Sequence, residues 1–121
     1  MCTVELVRAA GVSQAHVCVL PEACRICGLP YEDMASHADD DISNGQTANA
    51  LRPLCVEYNM VVVFGAMVKV ADKVFNAAVV MNGQGEISGH YFKKHPTPGE
   101  IANGVTPGSS GQDNNGQHHI L

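Results

Sequence analysis

The sequence predicts an α/β fold in which a mixed β-sheet carries two helices. Two segments have apolar residues at helical spacing, residues 1–14 and 46–58. Apolar runs with the length of strands occupy residues 16–20, 60–70, 73–81 and 86–92. Asn82-Gly83-Gln84-Gly85, between the last two runs, is typical of a β-hairpin turn. This order of helices and strands predicts one layered domain.

Composition excludes several classes of protein. The chain has 121 residues, of which 45% are hydrophobic, as in a globular domain. No apolar run approaches the roughly 20 residues that cross a bilayer, and no cationic segment precedes an apolar leader, so we expect neither membrane insertion nor secretion. A net charge of −5 without a basic patch argues against nucleic acid as a partner. Five cysteines, an odd number, predict reduced thiols in a cytoplasmic protein.

Glu22 lies just beyond the first apolar run. Because that run is continuous rather than alternating, we expect a strand that is covered on both faces. Pro21 cannot donate to a sheet and ends the strand. Glu22 therefore lies beyond its carboxyl end, where layered α/β proteins commonly hold their chemistry. The alternative is a solvated loop acid.

A second group of charged residues follows the last strand. Lys93, Lys94 and His95 stand together, and the carboxylate of Glu100 comes seven residues after Lys93. The intervening prolines and glycine predict that regular structure stops here. A cationic pair at the end of a strand with a carboxylate close behind is suited to the rim of an active site. A solvated strand edge is the other interpretation.

The remaining features predict structure rather than chemistry. Residues 60–70 form a buried central strand, in which Gly65 marks a bulge or a close backbone approach. Residues 23–44 read as a loop, and Asp39-Asp40-Asp41 within it as a solvated turn. Residues 109–121 are mostly polar and predict a disordered tail, which leaves residues 1–108 as the domain.

Cys24 and Cys27 have the spacing of half a zinc site, but no second pair follows them. We therefore expect no metal and no cofactor, and keep a zinc-binding domain as an alternative hypothesis.

The order of short motifs along the chain resembles a known family. The motifs are Leu-Pro-Glu at residues 20–22, Val-Val-Phe-Gly at 62–65, Phe-Asn-Ala-Ala at 75–78, Asn-Gly-Gln-Gly at 82–85 and Tyr-Phe-Lys-Lys-His-Pro at 91–96. Together they resemble the N-terminal half of the nitrilase superfamily of carbon–nitrogen hydrolases, over residues 3–108.

The resemblance implies a fold and a mechanism. The family's fold is an α-β-β-α sandwich, usually oligomeric, and this chain resembles half of it. Its members use a glutamate as general base, a lysine that stabilises the tetrahedral intermediate, and a cysteine nucleophile. By position, Glu22 matches the base, Lys93 the lysine and Glu100 a second glutamate; Lys94 is the alternative if the match shifts by one residue. Phe92 stands where the family usually has arginine.

The implied substrate is a small molecule with an amide, nitrile or carbamoyl group, with amide hydrolysis the commonest outcome. However, no cysteine follows Cys55, whereas the family's nucleophile lies downstream of the lysine. We therefore expect a chain that is truncated before its nucleophile and inactive alone. The alternative from another class is a non-catalytic assembly module that forms homo-oligomers or pairs with homologues through exposed sheet surface.

Overall fold

The computed structural model describes residues 2–109, which form a four-stranded mixed sheet and four helices. In chain order the elements are α1 (Thr3–Val12), β1 (Val17–Val19), α2 (Tyr31–Met34), α3 (Gln46–Tyr58), β2 (Val61–Val70), β3 (Lys73–Met81), β4 (Ile87–Phe92) and α4 (Pro98–Ala102). The sheet order is β1-β2-β3-β4, with β1 parallel to β2 and the other neighbours antiparallel. The predicted mixed sheet and its two long helices are confirmed.

Two tight turns join the antiparallel strands, and the second forms at Asn82, where the sequence predicts a hairpin. Ala71 adopts a left-handed conformation (φ 54°) between β2 and β3. Between β3 and β4, the side-chain oxygen of Asn82 accepts hydrogen bonds from the backbone N–H groups of Gln84 and Glu86, at 2.9 and 3.0 Å. These local bonds fix the register of the antiparallel strands, and with it the position of the residue after β4.

The hydrophobic core lies on one face of the sheet, between the strands and the helices α1 and α3. Alternate residues of β2 and β3 point into it, and Phe75 of β3 stacks on Phe92 of β4 with ring centroids 4.4 Å apart. Val7 of α1 and Leu51 of α3 close it from the other side and are fully buried. Phe92 is the last residue of β4, so the core fixes the end of the strand that precedes Lys93.

The opposite face of the sheet corrects one prediction. Strand β1 was expected to be covered on both faces, but Val17 and Val19 are 54% and 71% exposed, and only Cys18 packs against the core. The physical reason is that β1 is an edge strand whose second face is not covered by any element within residues 2–109. Continuous apolarity here marks an apolar surface, not a covered strand.

The segment after β4 corrects a second prediction. Its prolines and glycine were expected to stop regular structure, yet Pro98–Ala102 form the short helix α4. Pro98 occupies the first helical position, where the missing N–H costs nothing. The Thr97 hydroxyl accepts from the backbone N–H of Glu100 at 3.2 Å, and the Glu100 carboxylate accepts from the Thr97 N–H at 2.6 Å. This reciprocal cap stabilises a helix that the breakers alone do not predict.

The loop 23–44 also holds a single helical turn, α2, which was not predicted. Residues 110–121, which contain all but the first residue of the predicted disordered tail, lie outside the described part of the chain.

Within residues 2–109, no helix has both the length and the apolar character needed to cross a membrane.

Candidate functional site

Glu22 lies on a tight loop held against the central strand. The backbone N–H of Leu20 bonds to Val63 at 2.8 Å, and that of Cys24 bonds to Gly65 at 3.0 Å, so both ends of the loop are attached to β2. A Cβ atom on Gly65 would stand 2.7 Å from the Cα of Glu22. The close backbone approach predicted at Gly65 is therefore confirmed, and it brings Glu22 directly over the sheet.

Lys93 follows the last residue of β4 and is fixed through its main chain. Its backbone N–H donates to the carbonyl of Asn76 on β3 at 2.8 Å. Its ammonium Nζ donates to Oε1 of Glu22 at 2.9 Å and to Oε2 of Glu100 at 3.1 Å. The structure thus brings together the three residues that the family resemblance matches to a base, a lysine and a second glutamate, although Glu22 and Lys93 are 71 positions apart.

The three charged groups differ in burial. The side chain of Glu22 is 60% exposed, that of Lys93 30% and that of Glu100 only 3%. The Lys93–Glu22 contact is thus an ion pair open to solvent, and it contributes little to stability. The Lys93–Glu100 contact involves a buried carboxylate, and the charged form of that carboxylate depends much more on its hydrogen-bond partners.

Glu100 stays charged despite its burial. Burial by itself raises the pKa of a carboxyl group, because it disfavours the charged form. Hydrogen bonds from the Thr97 N–H at 2.6 Å, the Asn76 side-chain amide at 2.7 Å and the Lys93 ammonium at 3.1 Å outweigh that effect. The net pKa of Glu100 is lowered, so this residue is a fixed anion at neutral pH.

Lys93 is a fixed cation. Its hydrogen bond to Glu22 raises the pKa of the ammonium; burial opposes this, and the contact with Glu100 raises the pKa further. The net shift is upward. At neutral pH the residue carries a positive charge, donates hydrogen bonds and does not act as a base.

A cleft of about 380 Å³ opens beside this cluster. Its lining includes Glu22, Asn76, Tyr91 and Lys93, and the rest is mostly apolar: Val19, Leu20, Val63, Phe64, Gly65, Ala77 and Ala78. This size suits a small molecule. All five cysteines lie in the described part of the chain, and none lines this cleft.

A larger cavity, of about 550 Å³, lies beside the start of α1 and is lined in part by Cys2, Cys24 and Cys27. Lys93 and Glu100 do not line it. We assign the candidate site to the smaller cleft because the ionised cluster is there.

The other candidate residues lie elsewhere. Lys94 does not join the cluster; its ammonium lies 5.9 Å from the ring centroid of Tyr91. Among residues 2–109, no three His, Cys, Asp or Glu side chains are grouped to hold a metal ion, those around Cys24 and Cys27 included. Asp39 was expected in a solvated turn, but it is 5% exposed and pairs with Arg25 at 3.1 Å, because its backbone bridges to β2.

The part that Asn76 plays in the site was not identified from the sequence. It lies in the middle of β3, is 4% exposed and donates to Glu100. The signal was an amide side chain within an apolar strand, since a buried polar group needs a partner.

Comparisons with known proteins identify the family of this chain. The family profile described as carbon–nitrogen hydrolase matches residues 2–117. The chain belongs to the carbon–nitrogen hydrolase family.

Solved structures with the same fold include amidases of the nitrilase superfamily. A double mutant of the amidase from Nesterenkonia sp. AN1 bound to acrylamide matches with a TM-score of 0.72 and 16% identity, over 88% of this chain and 40% of the amidase. A mutant of that amidase bound to butyramide matches with a TM-score of 0.70 and 16% identity, over 88% and 41% of the two chains. An N-terminal amidase matches with a TM-score of 0.67 and 14% identity, over 88% and 28%.

The chain therefore spans about two fifths of the Nesterenkonia amidase structures. No curated protein sequence matches it. At these identities the structural matches establish the fold alone.

Proposed function

We propose that the chain carries the base and the lysine of a hydrolase that cleaves non-peptide C–N bonds in small amides, nitriles or carbamoyl compounds. The observation that supports this most strongly is the Lys93 ammonium, held 2.9 Å from Glu22 and 3.1 Å from Glu100 at the edge of a small cleft. Residues 1–108 are the proposed domain.

Each group has a distinct role in the proposed reaction. Glu22, the more exposed carboxylate, takes the proton from a thiol, because an unperturbed thiol with a pKa of about 8.5 is mostly protonated at neutral pH. In an amide or a carbamoyl compound, the sulfur attacks the carbonyl carbon, and the Lys93 ammonium stabilises the oxyanion that forms. The leaving amine departs with a proton from Glu22, which leaves a thioester that water hydrolyses. Glu100 holds Lys93 in place throughout.

The sulfur is the component that this chain does not bring to the cleft. Burial raises the pKa of the Cys18, Cys24 and Cys55 thiols, which makes them poorer nucleophiles. In a mutant of the Nesterenkonia amidase, acrylamide has added to the active-site cysteine. We propose that the chain by itself does not turn over amides and that the thiol comes from a segment outside these residues. Acrylamide and butyramide, ligands of that amidase, favour a small amide as substrate.

The test supplies the sulfur from outside. A small thiol such as 2-mercaptoethanol is added with p-nitrophenyl acetate, and release of nitrophenol is followed with and without the purified chain. We expect saturable acceleration of thiolysis that Glu22→Gln abolishes, while acrylamide and butyramide stay intact without added thiol. Thiolysis that is the same in the Glu22→Gln variant contradicts the proposed base, and amide turnover without added thiol contradicts the proposed inactivity.

A second function is favoured by the exposed face of the sheet. Val17 and Val19 present an apolar surface on edge strand β1, and Val63 and Ala78 on the adjoining strands are only half-buried. We propose that this surface, defined by these four residues, mediates homo-oligomerisation or pairing with homologous chains. Analytical ultracentrifugation of the wild type and of Val19→Lys tests it: a concentration-dependent oligomer that the substitution dissociates is expected, and a monomer at all concentrations contradicts it.

The cytoplasmic location remains a prediction from the odd number of cysteines.

A further inference from the structure

We infer that Asn76 is a positioning residue, whose side-chain amide orients the Glu100 carboxylate so that its other oxygen faces Lys93. The inference rests on the proposed function, because it explains how the lysine of that site is held. Asn76 does not need to touch a substrate for this role. It acts through Glu100.

The two oxygens of Glu100 have different partners. Oε1 accepts from the Asn76 amide at 2.7 Å, whereas Oε2 accepts from the Thr97 N–H at 2.6 Å and from Lys93 at 3.1 Å. With Oε1 held from the sheet, the carboxylate is not free to rotate, and Oε2 stays directed at the ammonium. Asn76 is thus a link between the sheet and the short helix α4.

Asn76 also fixes the other end of the ion pair. Its backbone carbonyl accepts from the Lys93 N–H at 2.8 Å, so one residue holds the main chain of Lys93 and the side chain of Glu100. A substitution at Asn76 removes only the side-chain bond and leaves the backbone bond intact. This separates the positioning role from the pairing of β3 with the end of β4.

The arrangement has a consequence during the proposed reaction. Glu22 is exposed and changes its charge when it accepts a proton, and at that moment its attraction for Lys93 is lost. Glu100 is buried and keeps its charge, so Lys93 stays in place. Asn76 supplies one of the hydrogen bonds that keep Glu100 ionised in a buried position. An unpaired buried carboxylate would instead take up a proton.

The experiment measures this coupling in the whole chain, without any turnover. In the ¹³C- and ¹⁵N-labelled wild type, NMR follows the Glu100 carboxyl carbon and the Asn76 side-chain NH₂ signals through an acid titration. The inference requires that the two titrate together. Asn76 signals that stay constant while Glu100 titrates overturn it.

Two variants test the positioning role through the acid dissociation constant of Glu100. A general loss of stability does not change this constant. Asn76→Leu should lower the acid dissociation constant of Glu100 by about tenfold or more, the effect of one hydrogen bond to a charged group. Thr47→Val is the matched control, since Thr47 is also a buried polar residue (2% exposed) but bonds to Arg25 and not to Glu100. It should lower stability and leave the Glu100 constant unchanged.

An unchanged Glu100 constant in a folded Asn76→Leu variant overturns the inference, as does an equal change in Thr47→Val. If Asn76→Leu does not fold, the wild-type titration decides alone. Because these measurements involve no substrate, a failure of the thiolysis assay would refute the proposed function and leave this result standing.

Discussion

Replacing Lys93 with methionine removes the ammonium group and keeps most of the length of the side chain. The buried Glu100 then loses one of its three donors, while its bonds to Thr97 and Asn76 remain. A hydrogen bond to a charged group contributes about 1.5–3 kcal/mol, and the exposed pair with Glu22 adds at most about 1 kcal/mol. Because Lys93 is itself 30% exposed, we expect Lys93→Met to lower the free energy of unfolding by about 1–3 kcal/mol at pH 7.

The loss should depend on pH in a defined direction. The pKa of Glu100 is lowered in the folded protein, so its stabilising contribution is present above the unfolded value of about 4.3 and disappears as the pH falls through the folded value. The pKa of Lys93 is raised, so its contribution is present below the unfolded value of about 10.4 and disappears as the pH rises through the folded value. The difference between wild type and variant should therefore be largest near neutral pH and shrink in acid.

Urea denaturation followed by circular dichroism at pH 7 and pH 3 measures both effects. Lys94→Met is the control, because this neighbouring lysine contacts the ring of Tyr91 and is not part of the cluster; we expect it to cost about 0.5 kcal/mol or less. Equal losses for the two substitutions, or a Lys93→Met loss that is the same at both pH values, would show that the Lys93–Glu100 pair does not stabilise the fold as described.

Three other changes test the structure around the site. Thr97→Ala removes the hydroxyl that caps α4 and should cost about 1 kcal/mol in a urea titration, whereas Thr97→Ser should cost little; equal losses would argue against the cap. Gly65→Ala places a Cβ 2.6 Å from the backbone nitrogen of Ala23, so it should cost about 1–3 kcal/mol and shift the amide NMR signals of the Glu22 loop; unshifted signals would contradict the close approach. Glu100→Gln should make stability less sensitive to acid than in the wild type, as unfolding at pH 3 and pH 7 measures, and an unaltered pH dependence would show that Glu100 is not the titrating group.

The strands and turns of this fold could be predicted because they depend on local signals. The apolar run through Phe64 and the hairpin at Asn82 each point to one local structure, and both are present. The covering of strand β1 could not be predicted in the same way. Continuous apolarity is compatible with a strand between two layers and with an edge strand that presents an apolar surface, and only the arrangement in space separates the two.

The site was predicted unevenly. Glu22 and Lys93 could be found because each follows a strand, but their contact depends on the sheet that joins them. The helix α4 was missed because Pro98 and Gly99 were read as breakers, although Thr97 and Glu100 have the spacing of a capping box. Asn76 was noted only as part of a motif, since a sequence does not say which buried group will be its partner.

The most direct test of the joint action of Glu22 and Lys93 is a double-mutant cycle on the rate of thiolysis with added thiol. If the two residues act on the same transition state, then Glu22→Gln, Lys93→Met and the double variant should all fall close to the uncatalysed rate, because the losses of groups that act as a unit do not add. Single variants that retain the full wild-type rate, or losses that add independently in the double variant, would contradict the account.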